Sequence, residues 1–241
     1  MPSDEIRPGR IEIEGLWEGY RPGRRRRLPW RGRWNWALQG IDLTVESGEM
    51  VGVIGHNGSG KTTLLQSVAG VLRPSRGSVR TTGRVGSLVH LDAGFHRDLS
   101  GHENLLIGGV LLGMRRGEVR RHYDEILQFT GLTRDELDDP ISTYSSGMGL
   151  RLGFALLACS RPSVVLVDEV LAVGDEDFQR QCIERIESML ATGAAALLAS
   201  HDLDLIAKHC DRVMVLQRGE QLFTGPTLEG IERYHQAPPV R

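Results

Sequence analysis

Apolar and polar residues alternate along Ile11-Glu12-Ile13-Glu14 and again along Ile41-Asp42-Leu43-Thr44-Val45, the period of strands with one face buried and one in water. Ser47-Gly48-Glu49 then turns the chain into the apolar run Met50–Ile54, which reads as a buried strand. Further runs predict strands at Val164-Val165-Leu166-Val167, at 195–199 and at Val213-Met214-Val215-Leu216, the last followed by a Gly219-Glu220 turn and Gln221-Leu222-Phe223. Between them the period becomes helical. Val119, Tyr123, Ile126 and Thr130 share one face, as do Phe178, Cys182, Ile186 and Met189. Strands alternating with helices predict an α/β fold on a largely parallel sheet. Residues 97–160 read almost wholly helical, so we take them as a helical subdomain inserted into a single domain spanning 1–241. No internal repeat or low-complexity linker interrupts it.

A chain of 241 residues buries roughly 70–75% of its unfolded surface and needs no covalent staples. Its three cysteines, Cys159, Cys182 and Cys210, are odd in number, widely spaced and set among apolar residues. That pattern argues for reduced core thiols rather than disulfides or a zinc site, and so for a cytosolic compartment. The opening residues lack an apolar signal core, and apolar runs such as 194–199 fall far short of the ~20 residues of a membrane span. Any membrane role then needs a partner subunit. The net charge of −2 argues against a nucleic-acid binder, yet seven arginines fall between Arg21 and Arg33, so the basic charge is local.

Candidate chemistry starts directly after the buried strand, at Gly55-His56-Asn57-Gly58-Ser59-Gly60-Lys61-Thr62-Thr63. Glycines at 55, 58 and 60 let the backbone curl until successive N–H groups face inward. The helix starting near Lys61 aims its positive end at the same place. This is a phosphate-binding loop, expected to hold ATP: Lys61 reaches the β and γ oxygens and Thr62 ligates Mg²⁺. Of 29 basic residues only Lys61 and Lys208 are lysine, so a chain that otherwise uses arginine keeps the compact ammonium here.

Asp168-Glu169 closes a four-residue apolar strand, at the sheet edge where α/β folds place their ligands. In a Walker B role Asp168 holds Mg²⁺, mostly through water, and Glu169 orients and deprotonates the attacking water. Two exposed acids ending a strand is the plainer alternative. Ser200-His201-Asp202 brings an imidazole to the same edge, able to hydrogen-bond the γ-phosphate or the water; alone, such a histidine is more often structural.

Tyr144-Ser145-Ser146-Gly147-Met148, ahead of the amphipathic run 150–159 and about 20 residues before Asp168, resembles the signature sequence of the ATP-binding subunit of ABC transporters. Ser145 offers a hydroxyl, and Ser146, Gly147 and the following helix start offer N–H groups to an anion. The resemblance implies that this segment closes over the γ-phosphate held by a second copy, so that ATP joins two chains head to tail. It implies a P-loop ABC ATPase fold with a mostly parallel central sheet, an antiparallel β part and an inserted helical subdomain. It runs from Ile11 to about Tyr234. Thr143 to Met148, the run 168–175 with Phe178-Gln179, and Ala93-Gly94-Phe95-His96 with Gly101 and Glu103-Asn104 are similar to the branch that exports O-antigen, capsule and teichoic acid. Val173-Gly174-Asp175 matches the D-loop that contacts the opposite subunit.

Tyr20 matches the aromatic on which adenine stacks, with Trp17 and Trp36 as competitors. Two positions depart from the general pattern. His90 stands where most of the family has glutamine and this branch glutamate, between the γ-phosphate and the transmembrane subunit, and Asp92 nearby is able to take over. Met148 replaces the usual signature glutamine, as is normal in this branch. The stretch 21–36, with Arg24-Arg25-Arg26-Arg27-Leu28-Pro29-Trp30, is a basic insertion whose Arg and Trp mixture suits a membrane–water interface; a solvated loop or single-strand binding are the alternatives.

The function expected is that of an ATPase subunit at the cytoplasmic face, driving a separate transmembrane permease to export a lipid-linked glycan, with no nucleic-acid partner. An ABC subunit moving a drug or lipid is the runner-up. A soluble ABC ATPase acting on DNA or ribosomes would need a long coiled coil or second cassette that this sequence lacks.

Overall fold

The computed structural model describes residues 8–20, 34–88, 95–168 and 175–237. Its first two strands, β1 (Arg10–Tyr20) and β2 (Asn35–Val45), pair antiparallel, with Ile11 opposite Val45 and Ile13 opposite Leu43. The alternation read at 11–14 and 41–45 is the buried half of two longer strands. β2 begins at Asn35, so the last two residues of the 21–36 stretch belong to the sheet. After β3 (Met50–Ile54) and α1 (Lys61–Val68), β4 (Arg76–Thr82) joins the free edge of β1 to complete a three-stranded antiparallel sheet. Next come β5 (Val85–Ser87) and a helical stretch: α2 (Gly101–Leu111), α3 (Arg116–Arg121), α4 (Tyr123–Thr130), α5 (Arg134–Asp138), a 3₁₀ turn at Ile141–Thr143 and α6 (Ser146–Cys159). The chain continues through β6 (Val164–Val167), α7 (Glu176–Ala191), β7 (Ala195–Ala199), α8 (Leu203–His209), β8 (Arg212–Gln217), β9 (Glu220–Pro226) and α9 (Thr227–Gln236). The central sheet runs β5-β6-β7-β3-β8-β9, parallel throughout except for β9.

Strand parity sorts the side chains of this sheet between two cores. Val164, Leu166, Ala195, Leu197, Val51 and Val53 face the core shared with α1 and the antiparallel sheet. Val165, Val167, Ala196, Leu198, Met50 and Ile54 face α6, α7 and α8. Burial on both faces is why β3, β6 and β7 read as unbroken apolar runs. Phe178, Cys182, Ile186 and Met189 are all buried, as their period predicts.

The helical stretch has its own core, built on Leu105, Val119, Ile126, Leu137, Leu152 and Leu156. The Val119–Thr130 face is kept, but its helix breaks at His122, whose N–H is shared between the carbonyls of Glu118 and Val119. A tightened last turn of this kind ends α3 and re-aims α4. The motif residues just ahead of α2 do structural work. Ser100 and Glu103 form a reciprocal capping box. Asn104, fully buried, donates to the carbonyls of His96, Leu99 and Ser100 and accepts from the His96 N–H, so one amide side chain fixes residues 96–100. At Gly101 a Cβ would lie 2.3 Å from the Tyr144 hydroxyl, which leaves room for glycine alone.

All three cysteines are buried and unbridged. Burial pushes the Cys159 and Cys210 thiols up to about 12, and that of Cys182 upward as well. Phe154, fully buried, stacks on Phe129 at 5.4 Å and meets Phe178 edge-on at 6.1 Å, joining α6 to α4 and α7. Phe154→Ala should lower unfolding free energy by about 3–5 kcal/mol in urea titrations, because the three rings cannot close over the cavity; a loss below about 1 kcal/mol would show that α6 is anchored elsewhere.

Candidate active site

The parallel strands β6, β7 and β3 end together, and the predicted chemistry sits on their carboxyl ends. Val53 is level with Ala199, so Gly55 and His201, each two residues further, leave the sheet at the same height. Residues 55–60 loop from β3 into α1, and their glycines are where the backbone requires them. Gly58 and Gly60 have φ of 78° and 112°. A Cβ at Gly60 would lie 2.7 Å from the Ala37 carbonyl, and one at Gly55 would lie 2.4 Å from the Leu216 carbonyl. The loop is clamped from outside by the β8–β9 turn, where the Gly219 N–H donates to the Ser59 carbonyl at 2.9 Å, and by β2 at Ala37.

Ala37 with residues 57–63 lines a cavity of about 260 Å³. Lys61, only 6% exposed, is held over the loop by donating to the Gly55 carbonyl at 2.7 Å and the His56 carbonyl at 3.5 Å. The Ser59 hydroxyl is buried with no hydrogen-bond partner among the described residues. Thr62 Oγ1 donates to Asp168 Oδ2 at 3.2 Å across 106 positions of sequence, joining the loop to the end of β6. A hydroxyl and a carboxylate in contact beside a lysine and a helix start form a hard-oxygen, anion-binding set that suits Mg²⁺ and a polyphosphate. Thr63 opens the same cavity on the first turn of α1.

His201 is exposed just past β7, and Asp202 beside it caps α8 by accepting from the Leu205 N–H. Tyr20, the last residue of β1, is 52% exposed. Its competitors are engaged: Trp17 meets Trp36 edge-on at 5.1 Å, and the Arg76 guanidinium lies 5.7 and 5.5 Å from the two rings. Glu169, His90, Asp92 and the arginine run at 24–27 lie outside the described residues.

Ser145 is the N-cap of α6, its oxygen accepting from the Met148 N–H at 3.2 Å while its own proton stays able to donate. Ser146 is exposed, Gly147 is half-buried, and Met148 packs against the helical core. The cavity at the phosphate loop is lined by Ala37 and residues 57–63, and the Ser145–Met148 turn is not part of that lining. Arg151, one turn into α6, donates to Asp175 Oδ2 at 2.6 Å and lies 5.0 Å from the Phe178 ring. Asp175 caps α7, and the Phe178 N–H, with Arg151 beside it, holds its carboxyl below the usual range. Sequence reading missed Arg151, Ala37, Gly219 and the Tyr234 hydroxyl that meets His56 Nδ1 at 3.3 Å. Arg151 carried a signal, an arginine on the signature helix; the backbone groups of Ala37 and Gly219 carried none.

The ABC transporter family profile matches residues 38–172. The O-antigen export system ATP-binding protein RfbB of Klebsiella pneumoniae is 42% identical over 207 residues, covering 86% of this chain and 84% of that protein. The teichoic acids export ATP-binding protein TagH of Lactiplantibacillus plantarum is 34% identical over 83% of this chain, which spans 55% of that protein. A solved ATP-binding subunit of an ABC transporter has the same fold, with a TM-score of 0.78 at 23% identity over 94% of this chain and 93% of its own. With its phosphate loop, strand-end acid and capped signature helix arranged on that fold, the chain belongs to the ABC transporter family of ATP-binding proteins.

Proposed function

We propose that this chain is the ATP-hydrolysing subunit of an ABC exporter that drives a lipid-linked polysaccharide, of the O-antigen, galactan, capsule or teichoic acid kind, across the cytoplasmic membrane. The observation that carries the ATPase reading is the Thr62–Asp168 contact, which brings the phosphate loop and the strand-end carboxylate to one point. No helix among the described residues is long and apolar enough to cross a membrane. In this reading the export step belongs to a separate transmembrane permease, with this subunit docked at its cytoplasmic face. The glycan assignment rests on likeness to the O-antigen and teichoic acid export proteins.

In this reading Lys61 and the N–H groups of residues 57–63 bind the phosphates, and Thr62 with Asp168 would hold Mg²⁺, which supplies neutralising charge to the β and γ oxygens. Tyr20 is the exposed ring available to adenine. Glu169 takes the proton of the attacking water, and His201 hydrogen-bonds the γ-phosphate or that water. His90, or Asp92, reports the state of the site to the permease. Ser145, Ser146, Gly147 and Met148 close the site of a second copy, so the working unit is a homodimer formed on ATP.

Depleting the protein in its host and analysing inner-face glycolipids by mass spectrometry should reveal accumulation of one polyprenyl-linked polymer. No accumulation, with ATPase activity confirmed in vitro, would overturn the glycan assignment and leave an ABC ATPase for another cargo.

A further inference from the structure

We propose that His122, Glu125 and Cys159 form a binding site for a thiophilic divalent cation such as zinc, clamping the α3–α4 corner to the end of α6. The imidazole Nδ1, a carboxylate oxygen and Sγ lie within 4.8 Å of one another. The spacing of the cysteines speaks against a zinc site built from cysteines; the fold instead brings one cysteine to a histidine and a glutamate placed one turn apart. A tetrahedral ion with ligands at about 2.0–2.3 Å sets its donor atoms roughly 3.3–3.7 Å apart, so modest side-chain rotation closes the set.

Three features favour an ion over an ordinary ion-pair chain. The donor set mixes sulfur, nitrogen and oxygen, the combination that zinc and its neighbours take, and three protein ligands leave a fourth position for water. His122 Nδ1 and Glu125 Oε2, 2.9 Å apart, share a proton where the metal would sit. The other carboxylate oxygen accepts from Arg185 at 2.6 Å, which fixes the direction of the carboxylate from outside, as the outer partners of metal ligands do. Access exists as well: Glu125 and Cys159 line a cavity of about 280 Å³ between α4, α6 and α7. On binding, the Cys159 thiol proton passes to solvent, leaving a metal–thiolate bond, while His122 binds through Nδ1 as the neutral imidazole with its N–H proton on Nε2. Cys159 closes α6, about 20 Å along the helix from its signature turn, so the ion would brace that helix without touching the nucleotide pocket.

The test uses the purified full chain, stripped with chelator and free of nucleotide, titrated with Co²⁺ and then Zn²⁺. Wild type should show a thiolate-to-cobalt charge-transfer band saturating at one ion per chain, displaced by Zn²⁺, and a higher unfolding temperature with Zn²⁺. Cys159→Ala should lose the band and Cys182→Ala should keep it. His122→Gln, at a more exposed position, serves if Cys159→Ala folds poorly, and should also lose tight binding. Arg185→Ala should bind about 10–100-fold more weakly. Cobalt at Thr62 and Asp168 gives no thiolate band and is not confused with this site. A wild type without the band, or a band that survives Cys159→Ala or retains its affinity in His122→Gln, would overturn the proposal.

Discussion

Replacing Lys61 with alanine should lower kcat for ATP by about 10²–10³-fold and weaken ATP binding roughly 10–100-fold, the worth of one charge-assisted contact of about 1.5–3 kcal/mol. The ammonium is buried over the phosphate loop, where its field is poorly screened, and it donates to the Gly55 and His56 carbonyls. Lys61→Arg separates charge from shape. A planar guanidinium keeps the charge but not the compact, pivoting donor geometry of the ammonium held at the Gly55 and His56 carbonyls, so this variant should be nearly as inactive as alanine. Calorimetric ATP titration and steady-state phosphate release measure both, with thermal unfolding to confirm that each variant folds. An arginine variant with near wild-type turnover would mean that the lysine acts as a diffuse charge and that the cradle places little demand on shape.

The parts of the fold legible in the sequence are those written in side-chain period. Two-residue alternation marked the buried ends of β1 and β2, and unbroken runs marked β3, β6 and β7, because the sheet is covered on both faces. β4 escaped because Val79 is its one large apolar residue, and β5 because three residues are too few to show a period. The break at His122 is a backbone event; the apolar face continues through it, and periodicity therefore predicts a single helix. At the site, side-chain chemistry was legible and backbone contacts were not. Lys61, Thr62 and Asp168 are recognisable by type and spacing, and the fold brings them together. Ala37 and Gly219 act through a carbonyl and an N–H that every residue possesses. Asn104 lies between the two cases: the motif marks it, but only the four hydrogen bonds of its side chain explain why an amide must be there.

Replacing Glu169 with glutamine should leave ATP affinity within a few-fold of wild type, remove turnover by about 10²–10⁴-fold and trap an ATP-bound dimer. Glutamine keeps the size and polarity of the side chain but cannot accept the proton of the attacking water. Asp168 and Thr62, which would hold the metal, are unchanged. The dimer is expected on the proposal that the signature turn of one copy closes the phosphate loop of another. The phosphate loop lines its cavity with Ala37 and residues 57–63 alone, and the N-terminal turn of α6 contributes nothing to it. A γ-phosphate that is bound but not cleaved therefore persists as the bridge between the loop of one copy and the Ser145–Met148 turn of the next, whose hydroxyl proton and helix start both favour an anion. Analytical ultracentrifugation at saturating ATP, with the membrane partner present, reads the outcome. Breaking the bridge from the other side, by Ser145→Arg in the Glu169→Gln background, should return the chain to monomer while ATP still binds. If the Glu169→Gln chain alone stays monomeric under those conditions, the head-to-tail arrangement is wrong and the signature turn serves only as a helix cap.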